Sequence, residues 1–350
     1  MGGREPFVED RPGPFEPPRK ATDQQQRGSS HGKRASAGCQ RARQAELAGA
    51  AVSCAWLPDR VENRLGRIGL WAPLRLWTNA GPAARDIAAE LEGLGIEAIW
   101  LGNGPDALDT VGELLQATRT VHVATGVLNV WAHSADATAG HYLTLRRQHP
   151  GRTLLGLGSG WRPDSPDAPS PYTKIVRYMD DLEIAEVPCE ERILAALGPR
   201  MLELAARRST GAHPFLTTPD HTHRAREILG HGPLLAPEQM VVIETDEHTA
   251  RAVARNALEF YLTKPNYAAS LRRQGFSDGD LAAGGSDRLV DALVAWGSLD
   301  TVLARVDQHR QAGADHVAIQ VLTPDTHGVP AHLRRLPHIE YRELAAAITQ

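Results

Sequence analysis

Several short segments of this chain place reactive side chains or free backbone groups just after an apolar run. Gly126-Val127-Leu128-Asn129 interrupts the β-branched stretch Val121–Thr125 and leads to His133. An imidazole titrates near neutral pH, so His133 suits proton transfer to or from a substrate atom. A surface histidine before a helix is its plainer reading. Ser159-Gly160-Trp161 follows the run Thr153–Leu157 and Gly158, where glycines mark a tight turn or a close approach of backbone to ligand. Leu197-Gly198-Pro199-Arg200 opens a helix directly after a strand. Proline fits the first helical position, the free amides can face an anion, and Arg200 adds a charged donor. The alternative is a well-started helix carrying a solvent arginine. Thr217 and Thr218 follow the next strand, and Asn103 follows Leu101. Asparagine donates hydrogen bonds but is no general acid.

The elements that must position these groups alternate strictly from Arg67 onward. Strand signals at Arg67–Ala72, Glu97–Leu101, Val121–Thr125, Thr153–Leu157, Arg192–Ala196, Ala212–Leu216, Gln239–Glu244 and His316–Leu322 are each separated by a helical one. Eight such units predict a (β/α)8 TIM barrel, and a doubly wound open sheet is the alternative. In a barrel, residues at the carboxyl ends of strands converge on one mouth. Those ends also include Trp71, Glu244 and Gln320. Residues from about 263 to 297 form an insertion before the last unit, read as extra to the barrel. Residues 1–64 carry Pro12, Pro14, Pro17, Pro18 and Gln24-Gln25-Gln26 with almost no apolar periodicity. They are predicted to be a disordered or accessory extension of the domain spanning 65–350.

Composition narrows the partners. In 350 residues, Asp+Glu 42 outnumber Lys+Arg 38, which predicts neither nucleic acid nor an anionic membrane as partner. No apolar run reaches the roughly 18 residues that span a bilayer. The expected location is the cytoplasm. Cys39, Cys54 and Cys189 are odd in number and widely spaced, which predicts reduced thiols. His221-Thr222-His223 reads as a helix start with solvent histidines, and no metal is expected.

The pairing of TGVLNVWAH (from Thr125) with HPGRTLLGLGSGW (from His149) resembles the luciferase-like superfamily of flavin- and deazaflavin-dependent oxidoreductases, and more narrowly its coenzyme F420-dependent branch. RIGLWAP from Arg67, LGPRMLELAARRSTGAHPFLTTPDHT from Leu197, GPLLAPEQMVVIETD from Gly232 and GGSDRLVDALVAWG from Gly284 are similar too. The resemblance runs from about Arg67 to Leu322. It implies a barrel of the bacterial luciferase-like type that transfers hydride between F420 and a small organic substrate. FMN-dependent monooxygenation and a non-catalytic deazaflavin-binding barrel are the alternatives. It further implies a non-proline cis peptide at Gly126–Val127 backing the cofactor ring, with Asn129 beside it. Ser159 and Gly160 would contact the ribityl or phosphate groups, and Trp161, at the strand end, would wall the ring. The phosphate would lie at Leu197, Gly198, Pro199, Arg200, Thr217 and Thr218. The insertion would cover the cofactor and make subunit contacts, as in a homodimer. One departure stands out: the branch often carries an acidic residue followed by histidine after the second strand, where this chain has Gly102-Asn103. His133 and Asn103 are therefore the residues expected beside the reacting atoms.

Overall fold

The structure, a computed structural model, describes residues 65–104, 106–160, 163 and 165–348. The strands are β1 (Ile68–Ala72), β2 (Ala98–Leu101), β3 (His122–Thr125), β4 (Leu128–Asn129), β5 (Thr153–Gly158), β6 (Arg192–Leu194), β7 (Gly211–Ala212), β8 (Leu234–Leu235), β9 (Glu238–Val242), β10 (Val294–Trp296) and β11 (Val317–Val321). All their pairings are parallel. β11 lies beside β1, and β1, β2, β3, β5, β6 and β7 follow in order. The segment 234–242 closes the ring: β8 pairs with β7, and β9 pairs with β11. This is the α/β barrel predicted from the alternation of elements.

Strands buried on both faces need apolar residues at every position, and β2, β5, β9 and β11 are buried throughout. Alternate residues then sort into two cores. Ile99, Leu101, Val123, Leu155, Leu157, Val241 and Ile319 pack outward under the helices. Trp71, Trp100, Ala124, Leu154, Ile193, Met240 and Ala318 belong to the other cluster, which fills the barrel. Helix bounds follow local chemistry. The helices Pro199–Arg208 and Pro219–Leu229 both begin with proline, and Thr218 caps the second by accepting from the His221 amide.

Three departures from expectation are instructive. The predicted strand Ala212–Leu216 ends at Ala212, because Pro214 has no amide to donate and Leu216 adopts a left-handed φ of 59°. The insertion is not wholly extra to the barrel, since its last residues form β10 against β9. Cys189 is disulfide-bonded, a correction to the expected reduced thiols: an odd count forbids complete pairing, not a single bond. Residues 1–64 lie outside the described residues.

Beside the mouth, β3 and β5 approach closely at Gly156. A Cβ there would sit 1.8 Å from the Thr125 carbonyl oxygen, so β3 and β5 meet only because this residue has no side chain. Gly156→Ala should therefore cost about 3 kcal/mol or more through overpacking. Urea unfolding would check it, and an unchanged midpoint would contradict the close approach.

Candidate functional site

Pairing of β3 with β5 runs through Val123↔Thr153 and Ala124↔Leu154, then resumes in β4 as Leu128↔Leu157. Three residues, Thr125, Gly126 and Val127, thus oppose the two residues Leu155 and Gly156. This is a one-residue bulge, and the Gly126–Val127 peptide within it is cis. The Thr125 hydroxyl replaces the lost ladder bonds, donating to the Gly156 carbonyl at 2.9 Å and accepting from its amide at 2.8 Å. The Trp71 indole donates to the Gly126 carbonyl at 3.1 Å.

The bulge forms one side of a cavity of about 540 Å³ at the carboxyl ends of the strands. Ala195–Gly198 face it from the end of β6, and Ser159 and Gly160 from the end of β5. A Cβ on Gly158 would stand 2.4 Å from Val127 Cγ2, so that glycine lets the bulge lie flat against β5. Trp71, Phe215, Tyr261 and Tyr267 form an aromatic wall. Its ring centroids are 5.3 Å apart for Trp71–Phe215, 5.1 Å for Phe215–Tyr261 and 5.5 Å for Tyr261–Tyr267.

His213 lines the cavity beside the bulge and is 1 % exposed. Its Nδ1 is 2.6 Å from the Ala236 carbonyl, which can only accept, so Nδ1 carries the proton. Nε2 is left as an acceptor without a partner, 3.2 Å from where a Gly126 Cβ would be. Its ring stacks on Trp100 at 4.3 Å. Burial pushes the imidazole down to about 4, so His213 is neutral at pH 7.

Of the residues singled out from sequence, Asn103, Gly126, Val127, Asn129, Ser159, Gly160, Leu197 and Gly198 line this one cavity. Trp161 lies outside the described residues. The structure does not bring the others there. After Asn129 the chain turns away, with the Ala132 amide on the Asn129 carbonyl, and half-buried His133 stands on that outgoing turn. Pro199 and Arg200 are exposed, and the Arg200 guanidinium sits 4.4 Å over the Tyr172 ring. Thr217 is buried behind the wall, and Thr218 caps its helix while bonding Gln274. Because the strand stops early, His213 and Phe215 occupy the mouth where Thr217 and Thr218 were expected.

Further residues that sequence reasoning missed are Tyr261, on the helix Glu247–Leu262, and Asn266, Tyr267 and Arg273 from the insertion. Arg273 brings its guanidinium within 3.7 Å of the Cβ position of Gly198, at the start of the helix Pro199–Arg208. Arg273, from another element, thus brings a guanidinium to the helix start where Arg200 was expected to place one. Buried His221 shapes the same loop by bonding the Leu197 carbonyl at 3.0 Å, and exposed His223 pairs with Glu227.

Residues 66–182 match the family model described as luciferase-like monooxygenase. Over that segment the chain is similar to the luciferase-like monooxygenases. Solved structures agree in fold. An F420-dependent secondary alcohol dehydrogenase in complex with an F420-acetone adduct is 14% identical, with a TM-score of 0.59 over 80% of this chain and 98% of that one. The coenzyme F420-dependent tetrahydromethanopterin reductase of Methanopyrus kandleri is 16% identical, with a TM-score of 0.59 over 80% and 98%. The oxygenating constituent of 3,6-diketocamphane monooxygenase from Pseudomonas putida, in complex with FMN, is 15% identical, with a TM-score of 0.56 over 80% and 98%. No curated protein sequence matches. Among the described residues, no helix is long and apolar enough to cross a membrane.

The indole of Trp71 ties the bulge to β1. Trp71→Phe would leave the buried Gly126 carbonyl without its donor and should lower stability by about 1–3 kcal/mol. Chemical denaturation measures this, and an unshifted unfolding midpoint would show that the bulge holds without Trp71.

Proposed function

We propose that this protein is an F420-dependent oxidoreductase that transfers hydride between the deazaflavin and a small organic substrate. The observation that carries the reading is convergence: the Gly126–Val127 bulge, the Ser159–Gly160 turn and the Leu197–Gly198 helix start face one cavity from three separate strands. The residues present fit such a group. Its long axis needs a flat apolar side, an anion-binding end and a place for substrate. Val127 and the strand-end glycines offer the first, and the free amides after Gly198 with Arg273 offer the second. The aromatic wall of Trp71, Phe215, Tyr261 and Tyr267 offers the third.

In this reading Gly126, Val127 and Asn129 border the ring, Ser159 and Gly160 border its side chain, and Arg273 neutralises the phosphate. Bound in reduced form, a deazaflavin supplies a hydride and does not activate dioxygen. Asn103 donates a hydrogen bond to the substrate, and the aromatic residues exclude water and orient it. The likeness to an FMN-bound monooxygenase supports a second reading, in which the same cavity holds FMN.

Titrating the purified chain with F420 and with FMN, following each cofactor's fluorescence, separates the two. Tight F420 binding and weak FMN binding are expected. Arg273→Ala should weaken F420 binding by about 1–3 kcal/mol, while Arg200→Ala and His133→Asn leave it little changed. Preference for FMN would favour the second reading, and binding of neither would overturn both.

A further inference from the structure

The cavity wall carries no aspartate or glutamate among its described residues; its titratable side chains are His213, Tyr261, Tyr267 and Arg273. A cationic amine would find no countercharge there, and an arginine does not give up its proton. His213 Nε2 can only accept, and it is sealed from solvent. Within the aromatic wall, the Trp71 indole is committed to the Gly126 carbonyl. The two phenols remain as its donors.

Packing sets where these phenols stand. Tyr261 lies near the end of the helix Glu247–Leu262, and Tyr267 lies in the next helix, Pro265–Arg273. Both rings rest on Phe215, with centroids at 5.1 and 5.9 Å. They meet each other edge-on at 5.5 Å, with their planes at 90°. The three rings touch pairwise, so neither phenol can swing without displacing the other two. Neither hydroxyl has a hydrogen-bond partner among the described residues, and neither is sealed from solvent as the orphaned polar atoms of the barrel interior are. Burial nonetheless raises both phenols well above their ordinary range. A hydroxyl that is deep, open and unpaired faces internal space, and the space both residues line is the cavity. Both keep their protons at neutral pH and are donors. Glu238, on β9, meets the Leu216 amide beside Phe215 and is 1 % exposed. Burial pushes its carboxyl up to about 8, so at neutral pH it is uncharged and does not oppose negative charge forming at the tyrosines.

We propose that the Tyr261 and Tyr267 hydroxyls together hold the carbonyl oxygen of an α,β-unsaturated ketone or aldehyde, which makes an enone the substrate class of this cavity; the inference rests on the oxidoreductase reading. Two donors on one oxygen stabilise the charge that develops there as hydride arrives. The β-carbon gains hydride from the reduced cofactor with both electrons of the new C–H bond. The C=C pair moves to join the α-carbon to the carbonyl carbon, and the C=O pair settles on oxygen as an enolate. The tyrosine O–H bonds stay intact throughout. The α-carbon then takes a proton from water, releasing hydroxide to solvent, and the C=O bond re-forms. The substrate is reduced by two electrons and the cofactor is oxidised by two. An enone suits this wall better than a simple ketone. An enolate is a far weaker base than an alkoxide, so it calls for hydrogen-bond donors and not for a strong acid, which the wall lacks.

Infrared spectroscopy of cyclohexenone, isotope-labelled at its carbonyl carbon, tests this on protein saturated with oxidised F420, where no turnover occurs. The expected result is a bound carbonyl band well below its position in an apolar solvent. Tyr261→Phe and Tyr267→Phe should each move the band part of the way back, and the double variant should restore the apolar-solvent position. Neither hydroxyl is hydrogen-bonded in the free protein, so the phenylalanine variants keep the wall; should the double variant misfold, the two single variants carry the test. With reduced F420, each single variant should lower cyclohexenone turnover about 10²–10³-fold with F420 affinity unchanged. No bound band, a band at the apolar-solvent position in wild type, or a lowered band that ignores both substitutions overturns the proposal. F420 affinity is measured before the enone is added. Failure at that first step defeats the oxidoreductase reading, whereas tight F420 binding with an unmoved band defeats the tyrosine pair alone.

Discussion

Three residues opposing two, at Thr125–Val127 against Leu155–Gly156, is the constraint on which the site depends. An ordinary parallel ladder would carry β3 straight into β4 and leave the mouth of the barrel flat. The extra residue breaks the ladder, and three neighbours make the break tolerable. The Thr125 hydroxyl bonds both polar groups of Gly156. Trp71 satisfies the Gly126 carbonyl. Gly158 has no side chain to collide with Val127. A bulge that re-aims side chains next to a binding site is a recurrent device of barrels. Here it borders the cavity into which five other strand ends and the helices Glu247–Leu262 and Pro265–Arg273 project.

Below the bulge the barrel interior is unusually polar. Trp100 donates to His316, whose other nitrogen bonds Gly66, and His213 stacks on Trp100 while bonding Ala236. Burial holds both imidazoles down to about 4, so they are uncharged and rigid. Each hydrogen bond fixes a tautomer, and the tautomers decide that the cavity meets an acceptor at His213. Glu238 is the opposite case: the same burial keeps its proton on. The same dry interior thus favours the uncharged form of all three groups.

The architecture was legible because its signals are local. Alternating apolar runs marked the strands, and the prolines at 199 and 219 placed two helix starts at the residues where they occur. Part of the cavity was legible for the same reason: Asn103, Gly126, Val127, Asn129, Ser159, Gly160, Leu197 and Gly198 stand at or just past strand ends. What escaped was decided by tertiary geometry. His213 and Phe215 were read as strand interior, since a proline and one left-handed leucine end that strand early. Tyr261, Tyr267 and Arg273 reach the cavity from helices 247–262 and 265–273, and no barrel periodicity marks them. Arg200 and Arg273 are both arginines near the same helix start, and only packing separates them: one stacks on Tyr172, the other turns to Gly198. His133 was placed by its distance from a strand, but the turn at Asn129 carries it outward.

The central claim is that this cavity is a cradle for one elongated, phosphate-bearing cofactor. A crystal structure of the chain with F420 tests it most directly. The account predicts the ring against Val127, the phosphate beside Gly198 and Arg273, and the aromatic wall of Phe215, Tyr261 and Tyr267 left for substrate. A ring bound away from the bulge, or a phosphate that meets neither Gly198 nor Arg273, would contradict it.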